Sequence, residues 1–423
     1  MRILSLTAGA ARMYCGSCLR DNALAAELVR QGHHVRLQPL YTPTRTDEPN
    51  VSEPVVFLNG ISVCLDQQAA FFRRPHPLLD RLWDAGWMLK LAARTSIAVD
   101  PHQLGAMTVS MLRGEEGFQL REIRKFTEWL RGLDPPDIAV LPNSLLSGLA
   151  EPVRRALNRP VCCTFQGEEL FLDQMPEPYR AQAWELVRAN AASIDGFIAV
   201  SRYSAAYWME RLGISGAKMH VVPLGINVNG YPEGRAVHAP FRIGYLARIA
   251  PEKGLHVLAE CYRRLLHESG FGPATLEAAG YLAPEHGGYL RAIEREMRGL
   301  EFRYHGELDR ARKIEFLHGL DVFSVPAVYD EPKGISVLEA MAAGVPVVQP
   351  RRGAFVEILE QTGGGLLTDD LADGILRIRR DPALAAALSE AGARAVRERF
   401  TVAHMATSAA EAFAAIAALT AHA

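Results

Sequence analysis

Short apolar, β-rich runs alternate along this chain with segments of helical periodicity, and no other feature constrains its fold as strongly. A first strand is predicted at Arg2–Thr7, followed by a loop around Gly9–Ser17 and a helix through Asn22–Gln31 that Gly32 ends. Strands separated by helices pair in parallel through right-handed crossovers. We therefore expect an α/β chain with doubly wound parallel sheets. Its further predicted strands are His34–Leu40, Ile138–Leu141, Val161–Phe165, Phe197–Val200, Phe241–Leu246, Ala274–Ala279, Phe302–His305, Val322–Val325 and Val345–Val348.

The alternation restarts after a polar stretch at Asn227–Pro240. The chain has 423 residues, more than the roughly 250–300 residues at which a single core stops growing. We assign residues 1–232 to a first domain and residues 233–400 to a second. Residues 401–423 form a predicted final helix with Thr401 as its cap, and we leave open whether this helix returns to the first domain.

Residues 66–116 do not follow the alternation. They combine aromatic and basic side chains, namely Phe71, Phe72, Trp83 and Trp87 with Arg73, Arg74, Arg81 and Lys90. A basic aromatic helix can lie on a membrane surface, but no apolar face is clearly separated here, so we favour an insertion whose aromatics pack on the first domain. Just before it, Asn59-Gly60 between Val55–Leu58 and Ile61–Leu65 predicts a β-hairpin.

Charge and composition exclude several classes of protein. The 46 basic and 48 acidic residues give a net charge of −2, which argues against a nucleic-acid-binding protein. No run of about 20 apolar residues predicts a membrane span, and the start is too short in its apolar run for a secretion signal. Six cysteines are too few for a disulfide scaffold in a chain of this size. We expect a cytoplasmic protein with reduced thiols and without peripheral membrane contact.

The segment from Tyr329 to Val348 reads as a strand end, a loop, a short helix and the next strand. Gly334 allows close approach to the backbone, and a helix starting near it points free amides at a ligand such as phosphate. Glu331 lies in the loop, and Glu339 lies about five residues into the helix, roughly 7.5 Å further along its axis. Two carboxylates with amides between them suit a nucleotide sugar, which has hydroxyls at both ends and phosphates in the middle.

A second segment, Phe241 to Gly254, places two cations after a strand. Arg248 follows the strand directly, and Lys253 falls at the start of the next helix, after Pro251 at a helix-opening position. Ligands of open parallel sheets bind outside the carboxyl ends of the strands. Arg248 and Lys253 are therefore candidates to bind a diphosphate and to stabilise it as a leaving group.

Together these segments resemble the retaining glycosyltransferases of family 4. The resemblance rests on Glu331 and Glu339, the following Ala-Met-Ala-Ala-Gly-Val-Pro-Val, and the upstream Arg248 and Lys253. Further marks are Gly9 before a helix that ends at Gly32, Val200-Ser201 followed by Val222-Pro223-Leu224-Gly225, and Tyr304-His305-Gly306 before a helix. The resemblance implies the GT-B fold, in which two Rossmann-like domains face each other across a cleft.

It also implies roles for these residues. The second domain would bind the sugar-nucleotide donor and the first the acceptor, which could be a glycan, a lipid or a small molecule. Glu339 would hold the ribose hydroxyls and Glu331 the donor sugar. The remaining donor contacts would be Arg248 and Lys253 at the diphosphate, the backbone at Gly334 and Ile335, the loops at Gly9 and Gly16, and His305 and Gly306 against the base.

The reaction implied by the resemblance is sugar transfer to an acceptor hydroxyl with retention at the anomeric carbon. Arg248 and Lys253 would offset the charge of the leaving phosphate, and a phosphate oxygen would take the proton of the incoming hydroxyl. No Asp-x-Asp pair follows these strands, so we expect neither a metal ion nor another cofactor.

The sequence departs from the family pattern at two places. Gln166 stands where many relatives have a histidine beside the donor sugar, and an amide does not titrate near neutral pH. Glu168 or Glu169 could act there instead, or could simply be acids favoured at a helix N-terminus. Lys333 replaces a residue that is commonly apolar, and it either adds a third cation near the donor or points to water.

Cys15-Gly16-Ser17-Cys18 leaves three interpretations open. The thiols are incidental small residues, a redox pair ahead of a helix, or half of a metal site. Our leading hypothesis remains the glycosyltransferase. A GT-B-shaped binding protein without activity is the first alternative, motivated by Gln166, and a thiol oxidoreductase using Cys15 and Cys18 is the second.

Overall fold

The computed structural model describes residues 1–9, 14–59, 101–232, 234 and 236–420, and these fall into two compact units. The first unit comprises residues 1–200, 204–222 and 406–423, and the second comprises residues 201–203 and 223–405. Each unit holds one parallel sheet of six strands. The predicted α/β chain with two doubly wound parallel sheets is therefore confirmed.

The first sheet has the order β2-β1-β3-β4-β5-β6. The chain runs from β1 outward to β2 and then returns past β1 to β3, so the topological switch lies between β1 and β3. Several of these strands are short runs without a polar alternation, as expected for strands covered on both faces. The strands are β1 (Arg2–Thr7), β2 (His34–Pro39), β3 (Ile138–Leu141), β4 (Val161–Phe165), β5 (Gly196–Ala199) and β6 (Met219–Val221).

Aromatic side chains fill much of the core of the first unit. The ring of Trp208 stacks on Phe165 with centroids 4.1 Å apart, and Phe165 stacks on Phe197 at 5.4 Å. Among the described residues in this part of the chain, the helices are α1 (Gly16–Arg30), α2 (Pro101–Leu112), α3 (Leu120–Arg131), α4 (Ala150–Leu157), α5 (Glu169–Gln174), α6 (Tyr179–Asn190) and α7 (Arg202–Leu212), with 3₁₀ turns at Gly114–Glu116, Ser144–Leu149, Ala191–Ser193 and Gly216–Lys218.

The second sheet has the order β12-β11-β10-β7-β8-β9, with its switch between β7 and β10. Its strands are β7 (Phe241–Leu246), β8 (Ala274–Ala279), β9 (Phe302–Tyr304), β10 (Val322–Phe323), β11 (Val347–Gln349) and β12 (Gly365–Leu367). Its helices are α8 (Leu255–Leu266), α9 (Gly287–Glu296), α10 (Arg310–His318), α11 (Ile335–Ala342), α12 (Ala354–Thr362), α13 (Leu371–Arg380) and α14 (Pro382–Arg399), with 3₁₀ turns at Pro251–Lys253 and Pro284–His286.

The last helix, α15 (Val402–Thr420), belongs to the first unit from Ala406 onward. Thr401 accepts a hydrogen bond from the His404 amide, as a capping residue does. Among the described residues, Val402–Leu419 is the one helical segment long and apolar enough to cross a membrane, by length and composition alone. Its apolar side chains also have a partner within the protein, because Ile416 packs against β5 at Gly196.

Several predicted bounds need correction. Helix α1 begins at Gly16 rather than Asn22, and Val55–Leu58 is not a strand, since Phe57 forms a single parallel bridge with Leu40. The second half of that hairpin, Ile61–Leu65, and most of the irregular segment, residues 66–100 with all of its named aromatics, lie outside the described residues. The remainder of the segment includes α2, which packs on α6 where Gly105 meets Tyr179.

Candidate functional site

The loop after β7 carries Arg248 and Lys253, as predicted. A 3₁₀ turn opened by Pro251 ends at Lys253, and Gly254 follows with a φ of +76°. A Cβ at Gly254 would lie 1.9 Å from the carbonyl oxygen of Pro326, so only glycine lets the loop after β10 pass this close. The two loops flank the topological switch, which is where open parallel sheets bind ligands.

The half-buried Lys253 and Tyr329 form a triad with the buried Glu331. The Lys253 Nζ lies 2.5 Å from Glu331 Oε2 and 2.5 Å from the Tyr329 hydroxyl, which in turn donates to Glu331 Oε2 at 2.6 Å. Burial alone would raise the pKa of the Glu331 carboxyl. The Lys253 charge, the hydrogen bonds from Lys253 and Tyr329 and the Lys333 charge outweigh it and lower that pKa to about 2. Glu331 is therefore an ionised acceptor at neutral pH.

The backbone of Glu331 is held by a third loop, which follows β11. The Ala354 amide donates to the Glu331 carbonyl at 2.7 Å. A Cβ at Gly353, whose φ is +51°, would lie 2.4 Å from the same carbonyl oxygen. The sequence motif did not identify Gly353 or Tyr329, because nothing in their spacing shows that they contact Glu331.

Gly334 and Ile335 start helix α11 directly after this triad. Gly334 has a φ of +81°, and a Cβ there would lie 2.6 Å from the Ile358 side chain. The first amides of any helix have no carbonyl partner within it, so the start of α11 can donate to an anion. Lys333 is half-buried, and its amide donates to Glu331 Oε1 at 3.3 Å.

Glu339 is buried in α11 and pairs with Lys313 of α10 at 2.6 Å, Nζ to Oε1. The ion pair compensates for the loss of water around both charges. Lys313 was not predicted, because its role depends on which helix lies beside α11.

Arg248 is exposed and pairs with Glu252 Oε1 at 2.5 Å. His305 lies after β9, with its Nε2 2.6 Å from the buried Glu277 Oε2. Next to it, the Gly306 carbonyl accepts from the Gly280 amide at 2.8 Å. A Cβ at Gly280 would lie 1.8 Å from the Ala247 carbonyl oxygen, so the loops after β7, β8 and β9 are in direct contact.

In the first unit, Gly9 follows β1 with a φ of +70°, and a Cβ there would lie 2.0 Å from the Thr42 carbonyl oxygen. Gly16 is the first residue of α1. Both residues stay predicted donor contacts.

Gln166 and Glu168 follow β4 and are both buried. Gln166 Nε2 donates to Asp21 Oδ1 at 3.2 Å and to the Pro142 carbonyl at 2.9 Å. The two carboxylate oxygens of Glu168 accept from the amides of Ser144 and Gln166, both at 2.7 Å. Burial raises the pKa of Glu168 against these hydrogen bonds. Its contacts are thus those of a group that fixes two loops.

None of the described cysteines, among them Cys15 and Cys18, forms a disulfide, and Cys64 lies outside the described residues. Hydrogen bonding to Cys15, burial and the charge of Asp21 raise the pKa of Cys18 well above its usual range. Within the described part of the chain, no three His, Cys, Asp or Glu side chains are grouped to hold a metal ion.

Two sequence families match this chain. Residues 233–395 match the family described as glycosyl transferases group 1, and residues 92–229 match the family described as glycosyltransferase family 4.

Two mycobacterial proteins illustrate the similar sequences. A GDP-mannose-dependent alpha-(1-6)-phosphatidylinositol monomannoside mannosyltransferase of Mycolicibacterium smegmatis is 30% identical over 284 residues, which are 60% of this chain and 69% of that protein. A phosphatidyl-myo-inositol mannosyltransferase of Mycobacterium leprae is 30% identical over 48% of this chain and 55% of its own. The chain thus spans about half the length of the phosphatidyl-myo-inositol mannosyltransferases it matches.

Solved structures with a similar fold match over nearly the whole chain. A sucrose-phosphate synthase from Thermosynechococcus elongatus has a TM-score of 0.72 at 18% identity and covers 100% of this chain and 99% of its own. The HepE protein of Anabaena in complex with UDP and glucose has a TM-score of 0.68 at 15% identity, covering 98% and 99%. At such identities the likeness concerns the fold.

Proposed function

This chain belongs to the glycosyltransferases, with a family 4 part followed by a group 1 part, and it has the GT-B fold; we propose that it moves a sugar from a nucleotide-diphosphate sugar to an acceptor hydroxyl. In this proposal the anomeric configuration is retained and no metal ion takes part. GDP-mannose and UDP-glucose are the first donors to test, because one related protein is named for GDP-mannose and a protein of similar fold was solved with UDP-glucose. We place the reaction in the cytoplasm, without nucleic acid.

The observation that carries the proposal is the charge arrangement at the carboxyl ends of β7 and β10. The Lys253 ammonium contributes two of its three N–H donors to Tyr329 and Glu331, and a phosphate oxygen can accept from the third. The start of α11 supplies backbone amides beside it. Glu331 lies before that helix and Glu339 within it. Their carboxylate oxygens can accept hydrogen bonds from the hydroxyl groups of the donor sugar and of the ribose, respectively.

The proposed chemistry needs no strong base from the protein. The acceptor oxygen forms a bond to the anomeric carbon while the bond from that carbon to the β-phosphate oxygen breaks. The proton of the acceptor hydroxyl moves to a phosphate oxygen, and a nucleoside diphosphate leaves. Arg248 and Lys253 stabilise the charge that develops on this leaving group. A Glu331 pKa of about 2 makes that carboxylate a poor base near neutral pH, so we assign it to sugar binding.

Nucleotide binding and turnover test the proposal in sequence. Thermal shift with UDP, GDP and ADP should raise the melting temperature for at least one nucleotide, because a ligand of the native state stabilises it. Transfer or hydrolysis of the matching nucleotide sugar is then followed by mass spectrometry. We expect Lys253→Ala and Glu339→Ala each to lower kcat/KM at least tenfold, about 1.4 kcal/mol of transition-state stabilisation.

Matched controls are Lys125→Ala on α3 and Glu390→Ala on α14, both outside the site. Activity at the wild-type level in both site variants would refute the assignment. Loss of activity in a chelator, restored by a divalent metal, would refute the metal-free mechanism.

The second candidate function is a nucleotide-sugar-binding protein without activity. Gln166 favours it, since its amide hydrogen-bonds Asp21 and the Pro142 carbonyl and cannot titrate. Tight nucleotide binding with neither hydrolysis nor transfer across a donor panel would support this candidate over the enzyme.

A further inference from the structure

Three buried side chains of the first unit meet at a single carboxylate oxygen. Arg20 Nη1 donates to Asp21 Oδ1 at 3.1 Å, and Gln166 Nε2 donates to the same oxygen at 3.2 Å. Arg20 and Asp21 lie in the second turn of α1, and Gln166 directly follows β4. We call these three residues the Arg20 cluster.

The Arg20 cluster lies at the carboxyl ends of the first sheet. Gln166 also donates to the carbonyl of Pro142, the residue that follows β3, so the cluster reaches the strand beside the switch point between β1 and β3. Ligands of parallel sheets bind at such switch points. Like Lys253 and Glu331 in the second unit, the cluster therefore lies at the carboxyl ends of strands near a switch point.

Much of the hydrogen-bonding capacity of the Arg20 cluster is unused. Arg20 Nε and Nη2, Asp21 Oδ2 and Gln166 Oε1 are buried and have no hydrogen-bond partner in the structure. The exposed fraction of each of these side chains is 5% or less. A buried donor or acceptor without a partner costs about 1–3 kcal/mol, and more when it is charged. Such a group is normally satisfied by water or by a ligand.

The geometry of the unused atoms indicates what kind of ligand would satisfy them. Nε and Nη2 form one edge of the guanidinium, and their two N–H groups point in parallel, which matches the two oxygens of a phosphoryl or carboxylate group. Asp21 Oδ2 and Gln166 Oε1 are acceptors, so they suit hydroxyl hydrogens. A ligand that fits all four atoms combines a two-oxygen anion with neighbouring hydroxyl groups.

We propose that the Arg20 cluster binds the acceptor substrate, and that this acceptor is a polyhydroxy compound that carries a phosphoryl or carboxylate group. This inference rests on the proposed function, since the second-unit site accounts for the nucleotide sugar and a transfer reaction needs a second substrate. Because the four atoms are enclosed, entry of the acceptor requires a local rearrangement at this edge of the sheet.

The test compares acceptors in matched trios, each made of a neutral, a phosphorylated and a carboxylated form of one polyhydroxy compound. Glucose, glucose 6-phosphate and glucuronate form one trio, and glycerol, glycerol 3-phosphate and glycerate form another. Each compound is given to the full-length protein with its nucleotide sugar, and transfer is measured by mass spectrometry. We expect a charged member to have at least tenfold higher kcat/KM than its neutral counterpart. A preference for the phosphorylated or the carboxylated member identifies the anion.

Three variants test whether Arg20 supplies the preference. Arg20→Met should abolish it, and Arg20→Lys should remove most of it, because an ammonium keeps the charge but lacks the parallel N–H edge. If Arg20→Met does not fold, Gln166→Glu tests the cluster with Arg20 intact, since a second carboxylate repels the anion and should lower the preference at least tenfold.

Arg121→Met is the control, because Arg121 and Glu122 form the same sequence-adjacent pair at 3.1 Å on α3. It should leave the preference unchanged. Nucleotide affinity, measured by calorimetry, should stay within twofold in every variant.

The outcomes separate the two proposals. Nucleotide binding with no preference within either trio, or a preference that survives Arg20→Met and Gln166→Glu, would overturn the inference and leave the proposed function standing. Absence of nucleotide binding by the wild-type protein would overturn the proposed function itself.

Discussion

A carboxylate as deeply buried as Glu331 normally has a raised pKa, because burial removes the water that stabilises its charge. Here a lysine and a tyrosine replace that water at 2.5 and 2.6 Å. The site therefore holds a permanent negative charge without solvent, directly beside an ammonium group. This pairing also couples the site to the acid stability of the protein.

The first prediction concerns that coupling. Glu331 has a pKa of about 2 in the folded protein and an ordinary value of 4.5, so its contribution to stability is complete above pH 4.5 and is lost as pH falls towards 2. The contribution amounts to roughly 3 kcal/mol. The Glu331→Gln variant lacks the titrating carboxyl and therefore has no such contribution to lose. Between pH 5 and pH 2 the unfolding free energy of the wild type should therefore fall by about 3 kcal/mol more than that of the variant. Urea unfolding at several pH values measures this difference.

The exposed Glu390→Gln serves as the control and should follow the wild-type curve throughout. Parallel curves for Glu331→Gln and wild type would contradict the assigned ionisation.

The second prediction concerns Tyr329, whose hydroxyl joins the two charges. Tyr329→Phe removes a hydrogen bond to a carboxylate and one from an ammonium, so we expect a loss of about 1.5–3 kcal/mol in unfolding free energy. Because Lys253 and Glu331 then lose a shared partner, kcat/KM should fall about tenfold. Tyr289→Phe removes a hydroxyl bonded to His256 outside the triad, and it should leave kcat/KM unchanged. Equal effects of both variants on kcat/KM would show that Tyr329 has no special role.

Among individual residues, the sequence predicted the charged side chains of the second-unit site but not the residues that pair with them. Lys253, Glu331 and Glu339 follow from residue type and position after predicted strands. Tyr329 and Lys313 could not be predicted, because pairing depends on which loops and helices become neighbours in three dimensions. The Arg20 cluster was missed for the same reason, as Arg20 and Gln166 are 146 residues apart.

Among the elements, the loops after β7, β10 and β11 matter most, because they pack backbone against backbone. Gly254 and Gly353 occupy the contacts, where any side chain would overlap a neighbouring carbonyl. The position of Glu331 is thus set by glycines in other loops, as well as by its own segment.

The third prediction tests this dependence. Gly353→Ala places a Cβ 2.4 Å from the Glu331 carbonyl oxygen at a φ of +51°, so the loop must shift. We expect a loss of at least about 2 kcal/mol in unfolding free energy and a fall of tenfold or more in kcat/KM. Gly299→Ala is the matched control, since Gly299 has a φ of +84° but no atom within 4 Å of its Cβ position. It should cost about 1 kcal/mol and no activity. An active Gly353→Ala protein would contradict the proposed packing constraint.

The sequence predicted the strands that are buried apolar runs, but it did not predict two short strands at the edges of the sheets. Val161–Phe165 and Ala274–Ala279 have the predicted bounds. The edge strands β6 and β12 were missed, because they have three residues each and no fully buried member. The predicted hairpin was wrong at Val55–Leu58, where the pairing of Phe57 with Leu40 is parallel rather than antiparallel. The turn residues Asn59-Gly60 gave no sign that Phe57 pairs with Leu40 instead of with the residues after the turn.

In the molecule as a whole, the first unit is built from two parts of the chain that are far apart in sequence. The first unit is made of the beginning of the chain and of α15, which follows all of the second unit. Ile416 of α15 occupies the space at Gly196 where a side chain on β5 would otherwise lie.

The fourth prediction follows from this packing. Ile416→Ala leaves a cavity in the first unit, so we expect a loss of about 2–5 kcal/mol in unfolding free energy. Nucleotide affinity should stay within twofold, because the donor site lies in the second unit. Leu419→Ala, at an exposed position, should change neither quantity. A large loss of nucleotide affinity in Ile416→Ala would contradict the separation of the two units. Denaturant titration and calorimetry provide the two measurements.

The split first unit also has a consequence for biosynthesis. When the ribosome has completed β6 at Val221, the space at Gly196 still lacks the Ile416 side chain, which is made only after 195 further residues. At about 5–20 residues per second, this leaves apolar surface uncovered for roughly 10–40 s during translation. The nascent chain therefore passes through a stage in which a chaperone has a surface to bind, and synthesis of α15 ends that stage.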